Sequence, residues 1–297
     1  MSSARARAIG IDIGGTSLRA APVDSSGRIL AREETATLAQ AGPEAVVQQI
    51  ADLVAKIAPD RSGITGAGIS SPGPIDTERG PASGVPTPAG WSNIPIASMI
   101  QTALNLPVRL ENDAIAAAIG EWKFGAGQGL SHLVYVTIST GIGGGIILDG
   151  KVLHGRMGMA GHIGHMTIDR DGAPCACGNR GCWEAYASGT AFARRIAPHF
   201  PNPKSAFTAA TSGNPLALQL VTEEADWLGI GIANLLHLFS PQTVILGGGI
   251  ANGFSLLLPG IQQRLQTNAM PAFRAVPIVP AALGENAGLV GAAAMVM

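Results

Sequence analysis

The pattern of apolar and polar positions in the first 60 residues predicts a hairpin, a third strand and a helix. Residues 8–13 form an apolar strand that ends at Gly14-Gly15, and Leu18–Val23 is its expected antiparallel partner. A third strand is predicted over Arg28–Glu34. Apolar residues recur at helical spacing through Pro43–Ile57, which indicates an amphipathic helix.

Farther along the chain, a strand, a glycine turn and a returning strand occur a second time. The other predicted elements are strands at Thr65–Ser70, Leu106–Leu110, His132–Ser139, Ile146–Leu148 and Thr243–Leu246, and helices at Asn112 to about Trp122, Leu216–Phe239 and Ala287–Met297. The hairpins at 8–23 and 132–153 each open a series of alternating strands and helices, which predicts a duplicated α/β architecture. Ser71–Pro95 is rich in proline and glycine and is expected to be a long functional loop.

Composition narrows the class of protein. The chain has 297 residues, enough for two domains, and 46% of them are hydrophobic, so buried cores are expected. The net charge of −1 lacks the basic excess typical of nucleic-acid binding. We see no apolar run of the ~20 residues that a membrane span requires and no hydrophobic signal core at the start, so a cytoplasmic location is predicted.

All three cysteines lie in one short segment, where they predict a metal site. Cys175, Cys177 and Cys182 are separated by glycine-rich turns, and His165 precedes them by ten positions. Three thiolates and one imidazole close a tetrahedron around zinc and leave no open position, so the ion would be structural. A redox patch or three buried thiols is the alternative interpretation. Disulfides are disfavoured because the cysteine number is odd and the cysteines are clustered.

Three glycine turns are candidates for nucleotide binding. Asp12 precedes Gly14-Gly15-Thr16, a turn whose consecutive backbone N–H groups can form an anion nest, with the acid suited to Mg²⁺ held through water. An ordinary glycine hairpin is the alternative. The candidate residues of the second and third turns are Thr140, Gly141, Gly143 and Gly248. A dinucleotide site is disfavoured, because these turns lead into strands and not into a βαβ unit.

Asp113 is the candidate general base. Phosphoryl transfer to a hydroxyl needs a group that accepts the proton, and aspartate does this in other kinases. Because Asp113 stands at a strand-to-helix junction, a simple helix cap is the alternative role. Asn112 beside it can donate and accept hydrogen bonds to a polyol.

Taken together, these motifs make the chain resemble a ROK-family sugar kinase, a family that also includes transcriptional repressors. The resemblance extends from Asp12-Ile-Gly-Gly-Thr16 to Gly284–Gly291 and is most specific from Gly161 through the cysteine segment to Gly189. It implies two similar actin-like, hexokinase-like α/β domains with a central cleft and a zinc-binding loop. We expect the smaller domain to comprise residues 1–113 and 286–297, and the larger one residues 114–285, with the zinc loop at 165–182.

The resemblance also implies the chemistry. Asp113 would take the proton from the 6-hydroxyl of the sugar as it attacks the γ-phosphate of ATP, with Mg²⁺ accompanying the nucleotide. The implied sugar ligands are Gly73, Asn112, Asp113, His162, His165 and Glu184. One ring nitrogen of His165 would bind zinc and the other the sugar. A homodimer is implied as well.

One position departs from the common family pattern. Many members carry Glu-x-Gly-His where this chain has His162-Ile-Gly-His165, and this variant resembles bacterial N-acetylmannosamine kinases. The best prediction of substrate is therefore N-acetylmannosamine, with glucose or another hexose as the alternative. Neutral drift at this position would leave specificity unchanged. A non-catalytic sugar sensor is a further alternative, although the phosphate turn begins too early to leave room for a preceding DNA-binding module, and a sensor needs neither Asp12 nor Asp113.

Overall fold

The computed structural model describes residues 7–73, 75–76, 80–81 and 94–297, with only the backbone described at 75–76, 80–81 and 157. Contacts divide the chain into two compact units. Unit 1 comprises Met1–Gly129, Val152–Ala160 and Glu285–Met297, and unit 2 comprises Leu130–Lys151 and Gly161–Gly284. Most of the predicted loop Ser71–Pro95 falls outside the described residues.

Unit 1 is built on a five-stranded mixed sheet with the strand order β3-β2-β1-β4-β7. Its strands are β1 (Arg7–Ile13), β2 (Ser17–Asp24), β3 (Glu33–Ala36), β4 (Ile64–Ser71) and β7 (Val108–Asn112), and the short strands β5 (Ile75–Asp76) and β6 (Gly80–Pro81) pair separately. The hairpin pairs are antiparallel, whereas β1, β4 and β7 run parallel.

In the described part of this unit the α-helices are α1 (Pro43–Ile57), α2 (Ile96–Leu104), α3 (Asp113–Phe124) and α9 (Ala287–Ala294). The apolar faces of α1 and α2 cover one side of the sheet, where Ile9, Ile11 and Ile69 are fully buried. Helix α9 packs against β1, β4 and α3. Helix α3 packs within unit 1, whose first segment extends to Gly129.

Unit 2 repeats the same pattern of antiparallel and parallel pairs, with the strand order β10-β9-β8-β11-β12. Its strands are β8 (Leu133–Ile138), β9 (Ile142–Leu148), β10 (Lys151–Val152), β11 (Thr243–Gly247) and β12 (Ile278–Pro280), and its helices are α4 (Glu184–Ala187), α5 (Gly189–Ile196), α6 (Pro203–Thr211), α7 (Pro215–Phe239) and α8 (Phe254–Asn268). Residue 152 ends β10, although contacts assign it to unit 1. The two sheets confirm the predicted duplicated α/β architecture. None of the described helices is both long and apolar enough to cross a membrane.

Two predicted elements lie elsewhere in the structure. The third strand forms at Glu33–Ala36 instead of Arg28–Glu34, because Ile29 makes only an isolated bridge to Val23 before the chain leaves the sheet. The second glycine turn is confined to 139–141. Gly143 and Gly144 lie within β9 as ladder residues, and a side chain at Gly144 would overlap Ile163.

Glycines allow α9 to lie directly on the sheet of unit 1. Gly10 and Gly68 are paired neighbours on β1 and β4, and a Cβ atom on either would overlap a backbone carbonyl of α9. Gly291 of α9 approaches the Ala116 carbonyl of α3 equally closely. Backbone cannot move aside as a flexible side chain can, so the fit depends on the missing side chains.

We predict that Gly68→Ala destabilises the protein by roughly 1–3 kcal/mol, because the added methyl group forces α9 away from the sheet. Urea unfolding provides the measurement. Gly249→Ala is the matched control, since Gly249 has ordinary helical backbone angles and open space around its Cα. Equal stability of the two variants would contradict the importance of this packing.

Candidate functional site

The parallel strands of unit 1 bring three polar side chains to matching positions near their carboxyl ends. Asp12 on β1 is paired with Ser70 on β4, which is paired with Glu111 on β7. Paired residues of adjacent strands project to the same face of a sheet, so the three form a row, hereafter the polar row. The Oγ of buried Ser70 donates a hydrogen bond to Asp12 Oδ1 at 2.8 Å.

Asp12 is poorly stabilised as an anion. Desolvation by burial raises the pKa of its carboxyl, against the opposing effects of the Ser70 hydrogen bond and of Arg19 and Arg32. The nearest guanidinium nitrogen of Arg19 is 3.9 Å from Asp12 Oδ2. A carboxylate in this condition gains stability from an additional cation, which fits the Mg²⁺ predicted from the sequence.

The first glycine turn follows directly after β1. Gly14 N–H donates to the Ser17 carbonyl at 2.8 Å, while Gly15 and Thr16 are exposed. Thr37, which the sequence did not single out, braces this turn: its Oγ1 donates to the Gly14 carbonyl at 2.8 Å and its N–H to the Thr16 carbonyl at 3.1 Å. The turn is thus held while its exposed backbone remains accessible to a ligand.

Asn112, not Asp113, caps helix α3. Asn112 Oδ1 accepts hydrogen bonds from the N–H groups of Ala114 and Ile115 at 3.0 and 3.3 Å. Asp113 is the first helical residue, and the alternative that it serves as the cap is therefore wrong. Asn112 therefore holds the cap position, and the Asp113 carboxylate shares with it only the Ala114 N–H.

Asp113 remains accessible to solvent. Even so, the surrounding protein desolvates its carboxyl and raises the pKa, to which the negative charge of Asp12 adds. The Ala114 N–H, which donates to Asp113 Oδ1 at 2.7 Å, opposes this shift. An accessible carboxyl with a raised pKa can take up a proton more readily than an ordinary aspartate. Gly73, another predicted sugar ligand, lies two residues beyond the end of β4.

In unit 2, the structure brings the four predicted metal ligands together. The ligand atoms of His165, Cys175, Cys177 and Cys182 all lie within 4.8 Å of one another. Sulfur atoms bound to one tetrahedral zinc at ~2.3 Å are about 3.8 Å apart. The sulfurs of Cys177 and Cys182 are 3.7 Å apart, and His165 Nδ1 is 3.7 Å from the Cys175 sulfur. The donor set and its dimensions therefore fit a structural zinc ion.

The thiols of this cluster differ in their surroundings. Desolvation raises the pKa of the buried Cys182 thiol to about 12, whereas the N–H of Asn179 lowers that of exposed Cys177. A buried thiol that resists ionisation is stabilised as a thiolate by a bound cation, so metal binding would release protons here.

The metal loop is anchored by aromatic residues that the sequence analysis did not single out. Tyr186 OH donates to Asp169 at 2.7 Å and accepts from the Ala173 N–H at 2.7 Å, and its ring stacks on Trp227 of α7. These contacts could not be predicted from the sequence, because Asp169 and Tyr186 are separated by a loop whose path the sequence does not reveal. Gly181, at φ 72°, lies against the Asp169 carbonyl with no room for a side chain.

Glu184 connects the second glycine turn to the metal cluster. Its Oε2 accepts a hydrogen bond from the Ile142 N–H at 2.9 Å, and its Oε1 is 3.9 Å from the Cys175 sulfur. A side chain on Gly141 would overlap this carboxylate. Glu184 therefore positions the turn, a task beyond the predicted contact with sugar.

The remaining predicted residues of unit 2 fall into two groups. The ring of His162 lies parallel to that of His165, with centroids 6.4 Å apart. Thr140 is exposed in the turn before β9, and its carbonyl accepts from Thr190 Oγ1 at 2.8 Å. Gly248, at φ 84°, follows β11 and presses against the Ile138 carbonyl. The structure thus brings His162 close to the cluster and places Thr140 and Gly248 at strand ends.

Comparisons with known proteins cover nearly the whole chain. Residues 8–297 match the model of the ROK family. A glucokinase from Thermotoga maritima is 35% identical, over 97% of this chain and 96% of its own. The crystal structure of a ROK family glucokinase from Streptomyces griseus in complex with glucose and AMPPNP is 36% identical, with a TM-score of 0.82 over 98% of this chain and 99% of that one.

Other branches of the family also match. A xylose repressor from Bacillus spizizenii is 33% identical, over 97% of this chain and 76% of its own. A Listeria monocytogenes structure, described as that of a candidate N-acetylmannosamine kinase, is 26% identical with a TM-score of 0.80 over 97% of both chains. The expected actin-like fold of two similar α/β units is confirmed by these matches. On the extent of the family match and the identity to its members, the chain belongs to the ROK family.

Proposed function

We propose that this protein is an ATP-dependent kinase that phosphorylates the 6-hydroxyl group of a hexose or an N-acetylhexosamine. The observation that carries the proposal is Asp113, an accessible carboxyl with a raised pKa at the start of a helix whose cap is Asn112. The glucokinases among its relatives support the same activity. A cytoplasmic location and a homodimer stay predictions.

In this proposal Asp113 is the general base. The oxygen of the sugar 6-hydroxyl attacks the γ-phosphorus of ATP, and its proton passes to the Asp113 carboxylate. The bond between the γ-phosphorus and the bridging oxygen breaks, and ADP leaves with the electron pair. The raised pKa of Asp113 favours proton uptake at the moment of attack.

The phosphates are assigned to the glycine turns. The exposed backbone N–H groups of Gly15 and Thr16 would bind phosphate oxygens at the turn that Gly14 closes, and Thr37 holds the turn in shape. Mg²⁺ that accompanies ATP supplies charge neutralisation, and Asp12 is the residue that would face it. From unit 2 we assign the nucleotide contacts to Thr140, Gly141, Gly143 and Gly248.

The sugar ligands are assigned from the atoms that structural bonds leave available. Asn112 uses Oδ1 to cap α3, and its Nδ2 amide, which has two N–H groups and also interacts with Asp113, would donate to a sugar hydroxyl. Glu184 uses Oε2 for the Ile142 N–H, so Oε1 would accept from the sugar. His165 faces the cysteines with Nδ1, so Nε2 would face the sugar. Gly73 and His162 complete the assignment.

We assign the Cys₃His cluster to a structural zinc ion. Held by His165, Cys175, Cys177 and Cys182, zinc would fix the tautomer and direction of the His165 ring. It would also hold Cys175, which lies beside Glu184.

The identity of the sugar depends on His162. The glucokinase relatives favour glucose, whereas the His162-Ile-Gly-His165 variant favours N-acetylmannosamine. The xylose repressor supports a second candidate function, that of a sugar sensor without catalysis. Sugar binding without phosphate transfer would identify a sensor.

The first prediction concerns substrate choice. Zinc-replete protein, given Mg²⁺-ATP and a panel of hexoses and N-acetylhexosamines, is expected to phosphorylate at least one, measured by coupled ADP release and mass spectrometry of the product. His162→Glu is expected to raise kcat/KM for glucose relative to N-acetylmannosamine by about tenfold. The reason is that a carboxylate, which only accepts hydrogen bonds, replaces an imidazole, which can donate as well as accept. If the wild type turns over no sugar in the panel, the kinase proposal is wrong; if the ratio does not move, His162 does not select the sugar.

The second prediction concerns the base. Asp113→Asn preserves the shape of the side chain but cannot take up a proton, so kcat should fall by roughly 10²–10⁴ with sugar affinity by calorimetry nearly unchanged. For the wild type, rate should decline as pH falls through the Asp113 pKa, at a pH above the ordinary value of 3.8, because only the ionised base acts. Asp171→Asn is the control, since Asp171 is an exposed surface residue. A small loss in Asp113→Asn would remove Asp113 from the base role.

The third prediction concerns the metal. Purified protein should contain about one zinc per chain by elemental analysis, as one tetrahedral site requires, and Co²⁺ in its place should give thiolate charge-transfer absorption. Removing zinc should lower the melting temperature and reduce kcat/KM by about tenfold or more. Cys182→Ala should lose the metal, whereas His199→Ala, at an exposed histidine, should retain it. Wild-type kcat/KM in protein verified to be free of metal would contradict the proposal that zinc positions the His165 ring.

A further inference from the structure

Glu111 is a buried carboxylate whose two oxygens are both engaged. Its side chain is 4% exposed. Oε1 accepts a hydrogen bond from the Asn112 N–H at 2.9 Å, and Oε2 accepts one from His154 Nε2 at 2.7 Å. Burying a carboxylate costs free energy, and hydrogen bonds to both oxygens offset part of that cost. A carboxylate held in this way is fixed in position. The proposed reaction does not itself use either side chain.

We propose that Glu111 and His154 form a positioning pair that orients the Asn112–Asp113 junction for proton transfer. This inference rests on the proposed function only in naming Asp113 as the base. Both members lie in unit 1, as does the junction they hold. Neither touches the reacting atoms in this proposal.

The bond to Asn112 acts where strand β7 becomes helix α3. The Asn112 N–H belongs to the peptide that immediately precedes the cap, so fixing it sets the direction in which the helix starts. Asp113 is the next residue, and its side chain leaves from the first helical position. A small rotation of the Asn112 peptide would therefore move the Asp113 carboxylate, and misplacement by ~1 Å can cost on the order of 100-fold in rate.

His154 prevents the Glu111 carboxylate from turning away. Without His154, Oε2 would be buried and unpaired, and the carboxylate would gain by rotating toward water at the expense of its bond to Asn112. A cavity of about 450 Å³ beside the pair gives it room to do so. Among the described residues, Arg109 and Lys123 are the other charged groups that line this cavity.

The loop that carries His154 is itself closed. The His154 carbonyl accepts a hydrogen bond from the Ala160 N–H at 2.9 Å, and Gly155 makes the turn between them at φ 63°. The hydrogen bond to Glu111 raises the pKa of the His154 imidazole, which favours the proton on the ring. The pair is therefore a charge-assisted bond between a closed loop and the end of β7.

The test compares His154→Ala with His154→Gln in the full-length, zinc-loaded protein. Gln can place an amide N–H near the position of the imidazole Nε2, so it should restore most of the bond that Ala removes. His154→Ala is expected to lower kcat on the order of 10-fold to 100-fold, with KM for sugar and ATP little changed. Hydrogen–deuterium exchange should be faster over the peptide that spans 111–116. His199→Ala is the control, and thermal unfolding verifies that each variant is folded.

Two results would overturn the proposal. One is wild-type kcat together with wild-type exchange at 111–116 in His154→Ala. The other is equal impairment of His154→Ala and His154→Gln, with the loss in KM and not in kcat, which would indicate a role in sugar binding. If the wild type proves inactive on every sugar, the proposed function fails, and the exchange measurement by itself then decides whether the pair holds the junction.

Discussion

Unit 1 gathers three carboxyl groups near one edge of a sheet, and the need to compensate their desolvation governs the structure around them. Each has a different solution. Asp12 has the Ser70 hydroxyl and a distant Arg19, Glu111 has a backbone N–H and His154, and Asp113 has the Ala114 N–H at the start of a helix. Only Glu111 has both oxygens matched by close partners. Asp12 and Asp113 are left with raised pKa values. The least compensated groups are the two assigned to cation and proton, as expected where function and not stability selects the arrangement.

Unit 2 meets a different constraint, since the segment that carries its candidate metal ligands has little regular structure of its own. From Gly161 to Trp183 the chain contains only a short 3-10 turn and isolated bridges. Its shape depends on contacts with helices. Tyr186 of α4 holds Asp169 and Ala173, and the fully buried Trp183 at the end of the segment donates its indole N–H to the Trp227 carbonyl of α7. Four metal ligands on such a loop suit an ion that contributes to folding as well as to the position of His165.

The duplicated architecture was predictable because hydrophobic periodicity is strong in the hairpins and in helices such as α1, whose predicted bounds match the structure. The grouping of the four candidate metal ligands could also be predicted from the sequence, since thiolates and imidazole have few other reasons to cluster. The β3 strand was misplaced because an apolar pair, Ile29 and Leu30, resembles a strand locally, while pairing with β2 is decided by tertiary position. Thr37, His154 and Tyr186 were not foreseen, because each acts through hydrogen bonds to residues distant in the sequence. The sequence could not show that Asn112 and not Asp113 caps α3, because this depends on which residue has the first helical backbone conformation.

The close fit of α9 has a consequence for the order in which the protein can be made. Gly10 and Gly68 form a strip of the sheet without side chains that α9 covers, and about 220 residues separate Gly68 from α9 along the chain. At a synthesis rate of ~5–20 residues per second, that strip waits on the order of 10–40 s on the ribosome for its partner. Unit 2, by contrast, has all its segments by Gly284 and can fold before unit 1 is complete. The strands that carry Gly10 and Gly68 thus belong to a unit that closes only after α9 is made, and their surface stays uncovered by α9 during that interval.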